Sequence, residues 1–518
     1  MLAVANINCL NPPITPPSTP EPPEPPPQDA TPPETIITKA PEETIDYNEV
    51  TFEWTGSDNI TPTAKLTFSY SLEGYDTYYS PFSADTTKTY TDLSDGTYTF
   101  YVKSRDEAGN IDATPASFKF TIATTPPKEQ PPEGTPAVST LLIVPGSDVS
   151  HIAVAYDNTV YALDSPHAKL YKSDHGGIGW TDISSGLGAA APWTELAIAP
   201  DDPGIVAVVT NAGTEVYLST DGGAKFAATG LAGKLGGGER VRCLAISPGY
   251  GRRDISVGTS TGSGNGRILI NVVNGFPSGW QDMSTGAAGW SNADIFAIEY
   301  SPGFDADGTL LAIAATAPPT DDTYLYIGIR DLGGNTTTWN GFAGYPVEIC
   351  QSGQDTPGTP LTYADLALPS DYSGSRPSHR HVYACWSDTG GNPDDDVYRL
   401  DDTACYRLMV RNIICSLAHY GMFSRGKLLA GAAVSSVTDI FQGPQVYCTY
   451  NPQATCPTWQ SSLKPPTGPG QARVAWSPDG KEAYCGTSSA GGGSHDQSAF
   501  SISRNDGLTW NQTGLIDL

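Results

Sequence analysis

The chain has 518 residues, too many for one compact core, and 99 of them are Gly or Pro while only 4 are Met and 16% are charged, which is poor material for helices and points to an all-β fold. Acidic residues outnumber basic ones 56 to 28, and a net charge of -28 repels phosphate backbones and anionic lipid, so neither nucleic-acid binding nor attachment to a membrane surface is expected. No apolar run reaches the ~18 residues of a spanning helix, which argues against membrane insertion, and the start MLAVANINCL has neither a basic n-region nor a full apolar core of a leader.

In chain order, residues 1–33 come first as an apolar tip and a spacer. Leu2, Val4 and Ile7 could form a strand without a nearby partner, and Cys9 stands beside them. The Pro-rich run that follows favours stiff polyproline II, at about 3.1 Å per residue. A tip on a stiff spacer suggests a peg that joins one copy head-to-tail to the next.

Residues 34–123 alternate with period two between turn signals, about seven short strands in all, which is a β-sandwich pattern with Trp54 as its core aromatic. The segments VTFEWTGSDN, LSDGTYTFYVKSRDEAGNID and SFKFTI resemble the bacterial Ig-like or fibronectin-type-III-like modules of surface proteins, in which Tyr98 would be a corner tyrosine. A second Pro-rich linker covers 124–136.

Residues 137–518 carry a repeat. An apolar-Ala-apolar strand followed by Pro recurs at Pro200, Pro248, Pro302, Pro369 and Pro478, with weaker copies near Ala153 and Ala418. Each is followed by a second apolar strand, then by a third ending in a turn with an aromatic behind it. Those aromatics are Trp180, Phe226, Trp280, Trp339, Tyr406, Trp459 and Trp510, spaced 46, 54, 59, 67, 53 and 51 residues apart. The full turn is Ser219, Asp221, Gly223, Phe226; Ser503, Gly507 and Trp510 repeat it with Asn505 at the acidic position. Gly supplies positive φ and Asp an acceptor for nearby backbone N–H groups. This form resembles the Asp box, or BNR repeat, of sialidases, sortilin-type receptors, xyloglucanases and the propeller factor of photosystem assembly. Seven copies at this spacing predict a seven-bladed β-propeller, with the aromatic fixing the angle between the third and fourth strands of its own blade.

Nine cysteines are present without CxxC or zinc-type spacing. Eight lie after residue 240, consistent with four disulfides in an oxidising compartment, and Cys448–Cys456 and Cys385–Cys405 are the candidate pairs; buried free thiols are the alternative.

No catalytic residue set emerges. The Asp box is a fold device, arginine is scarce, and a sialidase needs an arginine triad with a Tyr/Glu pair. Glycoside hydrolysis needs two carboxylates at fixed separation. The acidic clusters Asp201-Asp202, Asp321-Asp322, Asp394 to Asp396 and Asp401-Asp402 read as solvated loops, and His379 and His381 as exposed loop residues leading into a strand. Asp305 and Asp307 before Gly308 resemble part of a calcium loop, though a plain turn is the preferred reading; calcium is the one cofactor considered. Asn59, Asn335 and Asn511 head glycosylation sequons. The reading that follows is a non-enzymatic, extracellular or cell-surface structural or adhesive protein that self-associates through residues 1–33. A glycan-binding or glycan-hydrolysing propeller is the alternative, with Trp193, Trp290, Trp386 and Trp476 as stacking surfaces if they line one face, though core packing is the preferred reading for most of them.

Overall fold

The computed structural model describes residues 29–516 apart from 43, 46–49, 77–78, 92, 94–95, 123–146, 275, 285–292, 317–321, 350–360, 389–394, 411, 434–443 and 490–497. Leu2, Val4, Ile7, Cys9, Trp290 and Cys350 therefore lie outside the described residues. Two compact units divide the chain, residues 1–137 and 138–518.

The first unit is a two-sheet sandwich of seven strands. One sheet pairs Val50–Ser57 with Glu34–Lys39 and Thr87–Tyr90; the other runs in the order Thr44–Ile45, Ala116–Ile122, Gly96–Arg105, Thr67–Glu73. Strict alternation over VTFEWTGS and GTYTFYVKSR sends every second side chain inward. There Phe52 stacks on Phe100 at 4.0 Å between centroids. Trp54, 2% exposed, donates its indole N–H to the Asp85 carbonyl at 3.1 Å. Tyr98 stacks on Phe120 at 5.6 Å.

The second unit consists of seven four-stranded antiparallel sheets in strict sequence order, the fourth with one extra short strand, Val347–Glu348. Their innermost strands are Val149–Val154, Glu195–Ala199, Arg240–Ile246, Ala293–Tyr300, Leu361–Ala367, Ile414–Tyr420 and Ala472–Trp476, numbered blades 1 to 7. Each lies beside the innermost strand of the next blade, and the seventh lies beside the first, so the ring closes. The second strands are largely buried on both faces, as in VYALD, AYCGT and even the polar RDISVGTS of blade 3, because a blade between two others has no solvent side.

Seven hydrophobic clusters fill the seven seams between blades. At the closing seam Val149, Val160, Ala162 and Tyr171 of blade 1 meet Tyr484, Phe500, Ile502 and Leu515 of blade 7. No strand is exchanged there: all four strands of blade 7 come from the C-terminal end of the sequence.

The aromatic behind each turn works differently from the sequence expectation. It packs across the seam to the preceding blade. Trp459 Nε1 donates to the Leu408 carbonyl at 2.8 Å, Trp339 Nε1 to the Met283 carbonyl at 2.8 Å, and Trp280 Nε1 to Thr229 Oγ1 at 3.0 Å. Tyr406, 36% exposed, is the copy without a deep seat.

The turns themselves form as expected and recur where the sequence is degenerate. Ser219 Oγ accepts from Gly223 N at 2.9 Å, and Asp221 Oδ1 accepts from Lys225 N at 2.9 Å. The Lys225 N–H, and after it the Ser219 hydroxyl that donates to the same carboxylate, hold the Asp221 carboxyl below its ordinary range. Ser503 Oγ takes Gly507 N at 2.8 Å and Asn505 Oδ1 takes Thr509 N at 2.9 Å. Ser173 repeats the first bond with Gly177 N at 3.0 Å. In blade 6, Thr449 and Asn451 stand in for Ser and Asp, with Asn451 Oδ1 accepting from Thr449 Oγ1 at 2.9 Å and Thr458 N at 3.1 Å.

The proposed disulfides do not form. Among the described residues all seven cysteines are free. Cys385 is fully buried in the seam between blades 5 and 6, whereas Cys405 packs into the seam between blades 4 and 5, on the other face of the same sheet. They belong to the second and fourth strands of blade 5, which are not neighbours. Cys448 is buried and Cys456 exposed. The buried thiols act as small apolar side chains; burial pushes Cys415 up to about 11 and Cys448 to about 12.

Candidate functional site in the axial channel

The seven innermost strands enclose an axial cavity of about 830 Å³. Each strand pairs with its second strand in a register that makes His151, Glu195, Cys243, Ala297, Asp365, Ser416 and Arg473 equivalent positions, opposite Leu163, Val209, Gly258, Ile313, Cys385, Gly431 and Gly486. In blades 1, 3, 4 and 6 the register shifts immediately before this position, a bulge that re-aims the side chain. All seven line the channel. Two residues further on, strand alternation brings the next level inward. It is alanine in six blades, at Ala153, Ala197, Ala245, Ala367, Ala418 and Ala475, and Glu299 in blade 4.

The charged groups of this channel are unequally satisfied. Asp365 is spent on the backbone: Oδ1 accepts from Leu366 N at 2.9 Å and Oδ2 from Leu417 N at 2.8 Å, while burial raises its pKa. Glu195 Oε2 lies 3.4 Å from His151 Nε2. Ser416 Oγ accepts from Val474 N at 3.2 Å. Arg473 donates to the Cys415 carbonyl at 2.7 Å, yet its buried Nε has no partner, and neither does His151 Nδ1. Glu299 makes no hydrogen bond with any described residue. Its deep seat in the channel, with Asp365 adding repulsion, pushes its pKa up to about 8. His419, also lining the cavity, is lowered to about 4 by burial and stays neutral. At one mouth Arg242 of blade 3 reaches past blade 4 to the Thr362 carbonyl of blade 5 at 3.3 Å, over the Phe296 ring. Gln471 of blade 7 likewise donates to Tyr363 Oη of blade 5.

This cluster was not foreseen from sequence. Its members stand one per blade, roughly 40 to 70 residues apart, and only the equivalence of the LAIAP-type strands could have brought them together.

The residues singled out by sequence fall elsewhere. Ser219, Asp221, Ser503 and their partners form turns between third and fourth strands. Asp305 is exposed and Asp307 is a turn acceptor: Oδ1 takes Thr309 N and Oδ2 takes Ser301 Oγ and Gly374 N, each at 2.9 Å. Among the described residues, the carboxylates with metal-ligand spacing are Asp29, Asp58 and Asp106 of the sandwich, within 4.8 Å of one another. Asp29 Oδ2 and Asp58 Oδ1 lack partners there, whereas Asp106 accepts from Asn110 N at 2.8 Å. Several acidic clusters are ion-paired rather than merely solvated: Asp396 with Arg407 at 2.7 Å, Asp402 with Arg380 at 2.9 Å, Asp401 with Arg399 at 2.9 Å. His381 opens the strand His381–Asp388 into which that segment leads, as expected, and is half-buried rather than exposed, stacked on Phe423 at 3.5 Å. Trp193 and Trp386 are seam residues, 3% exposed, and Trp476 is 7% exposed. They offer no sugar-stacking face. Asn59 and Asn511 are exposed, but Asn335 bridges Arg330 and Gln281 through both amide atoms.

The fold is thus an all-β pairing of an Ig-like sandwich with a seven-bladed propeller. A Y_Y_Y domain family model matches residues 60–123, within the sandwich. No curated protein matches the chain. Similar solved structures include a Kuenenia stuttgartiensis hydrazine synthase (14% identity, TM-score 0.45, covering 72% of this chain and 98% of that one). YCF48 bound to D1 peptide is similar at 14% identity and TM-score 0.38, covering 67% and 92%. The GH74 xyloglucanase from Xanthomonas campestris is similar at 13% identity and TM-score 0.31, covering 93% and 75%. At these identities the likeness concerns the fold alone.

Proposed function

We propose that this chain is a non-enzymatic binding protein whose ligand site is the axial channel of the propeller. The observation that carries this reading is the unspent polar capacity inside the cavity: Arg473 Nε and His151 Nδ1, both buried without a partner, and Glu299, whose carboxyl hydrogen-bonds to no described residue. Buried polar atoms left unpaired cost free energy that a ligand recovers.

Glycoside hydrolysis is the second reading, favoured by Glu299, a carboxyl held protonated near neutral pH beside Asp365. Hydrolysis also needs a free base. Both Asp365 oxygens are held by backbone N–H groups and Glu195 is turned to His151, so the channel supplies an acid without a base.

An extracellular placement rests on the Pro-rich segments and the Ig-like module, since the free thiols argue nothing for it. The turns of blades 1, 2, 6 and 7 support kinship with Asp-box propellers. Self-association through residues 1–33 is tested by deleting residues 1–10 and comparing assembly by electron microscopy. The binding function is tested by a thermal-shift screen of sugars, amino acids, amines and organic acids, with chromogenic glycosides run in parallel. Shifts lost in Glu299→Gln without glycoside turnover support binding; turnover abolished by the same substitution sinks it.

A further inference from the structure

We infer that the ligand of the axial channel is a small zwitterion, carrying an ammonium and a carboxylate at separate ends. This rests on the channel being the binding site. Two groups of the cavity pair neither with one another nor with any other described side chain of opposite charge and are not spent on the backbone alone: Arg473, which bonds to the Cys415 carbonyl and the Gln471 side chain, and Glu299, which supplies the negative end once it ionises; Arg242 at one mouth is taken up by the Thr362 carbonyl and Asp365 by backbone N–H groups. In a seven-bladed ring they stand apart, because blade 4 lies across from the junction of blades 7 and 1. Asp365 of blade 5 adds to the acidic side and His151 of blade 1, with its free Nδ1, to the opposite one.

A half-buried guanidinium without a carboxylate is a strong, directional anion site through its free, buried Nε–H. A channel carboxyl raised by desolvation ionises readily when an ammonium arrives, so the same ligand relieves both groups. A purely anionic ligand would meet Glu195, Asp365 and Glu299, and a purely cationic one would meet Arg242 and Arg473. Only a ligand with both charges leaves neither side uncompensated.

The experiment is isothermal titration of the full chain at pH 7 with 6-aminohexanoate, hexanoate, hexylamine and 1,6-hexanediol, and with glycine, β-alanine and 4-aminobutyrate to scan the charge separation. At least one zwitterion is expected to bind about tenfold or more tightly than its matched acid, amine and diol. Glu299→Gln should abolish the preference over the acid, and Arg473→Gln the preference over the amine. Arg473→Lys, which keeps the charge, controls for a misfolded glutamine variant, with circular dichroism checking each fold. Equal binding of acid, amine or diol, or a preference unchanged in Glu299→Gln, overturns the inference. Sugars or polyols that bind while every zwitterion is silent overturn it too, but leave the channel as a binding site; silence of all compounds overturns both.

Discussion

Phe500, in the third strand of blade 7, meets Trp180 of blade 1 edge to face, with 4.9 Å between ring centroids. The same ring lies so close to Gly177 that a Cβ there would collide with it, at a φ of +83° that side chains rarely adopt. With no exchanged strand, the ring is closed by this seam alone. Phe500→Ala is therefore expected to cost roughly 3–5 kcal/mol in urea unfolding, the usual range for emptying a buried aromatic site. The first amides to lose hydrogen-exchange protection should be those of blades 1 and 7. A uniform loss around the ring would contradict closure at this seam.

Ser219→Ala tests the turn chemistry. The hydroxyl accepts from the buried Gly223 N–H and donates to Asp221, so its removal strands a backbone donor, a loss of about 1–3 kcal/mol. Ser503→Ala should behave alike through Gly507. Chemical denaturation measures both, and a neutral outcome would mean that the turns hold without their hydroxyls.

Glu299→Gln should change the pH dependence of stability. A carboxyl raised from 4.5 to about 8 binds its proton more tightly in the folded state, so its contribution is complete below pH 4.5 and fades as pH rises through about 8. Wild type and variant should unfold alike near pH 4. At pH 9 the variant should be more stable by roughly 2–4 kcal/mol, because each tenfold change in proton affinity is worth about 1.4 kcal/mol and water in the channel screens part of the effect. Asp365, raised in the same direction, leaves a residual slope in the variant.

Alkylation under native conditions, read by peptide mass spectrometry, should label exposed Cys456 and spare Cys243, Cys385, Cys415, Cys448 and Cys485 until the protein unfolds. A reductant should leave the melting temperature unchanged. A bridged peptide between Cys448 and Cys456 would contradict the free-thiol arrangement.

The propeller was legible in the sequence because each blade repeats LAIAP-like inner strands and Gly-rich turns, whose positive φ at Gly223 and Gly507 only a few residues tolerate. The sandwich was legible through the alternation around Trp54 and Phe100. The channel was not. Glu299 sits in AIEYSP as one polar residue in an apolar strand, and nothing local distinguishes a residue facing an axis from one facing solvent. The disulfides failed for a related reason: a buried thiol in a seam and a bridged cysteine look alike until the strand order is known. Trp459 and its kin were assigned to their own blades because sequence proximity favours local packing, whereas the ring offers Trp459 and Trp339 a carbonyl, and Trp280 a hydroxyl, one blade back.

The most direct measurement is a crystal structure from crystals soaked with the compound that gives the largest thermal shift. Density inside the axial cavity, in contact with Glu299 and Arg473, is the expected result. Density confined to the outer faces of the blades, with the cavity filled by water alone, would contradict the assignment of the channel as the binding site.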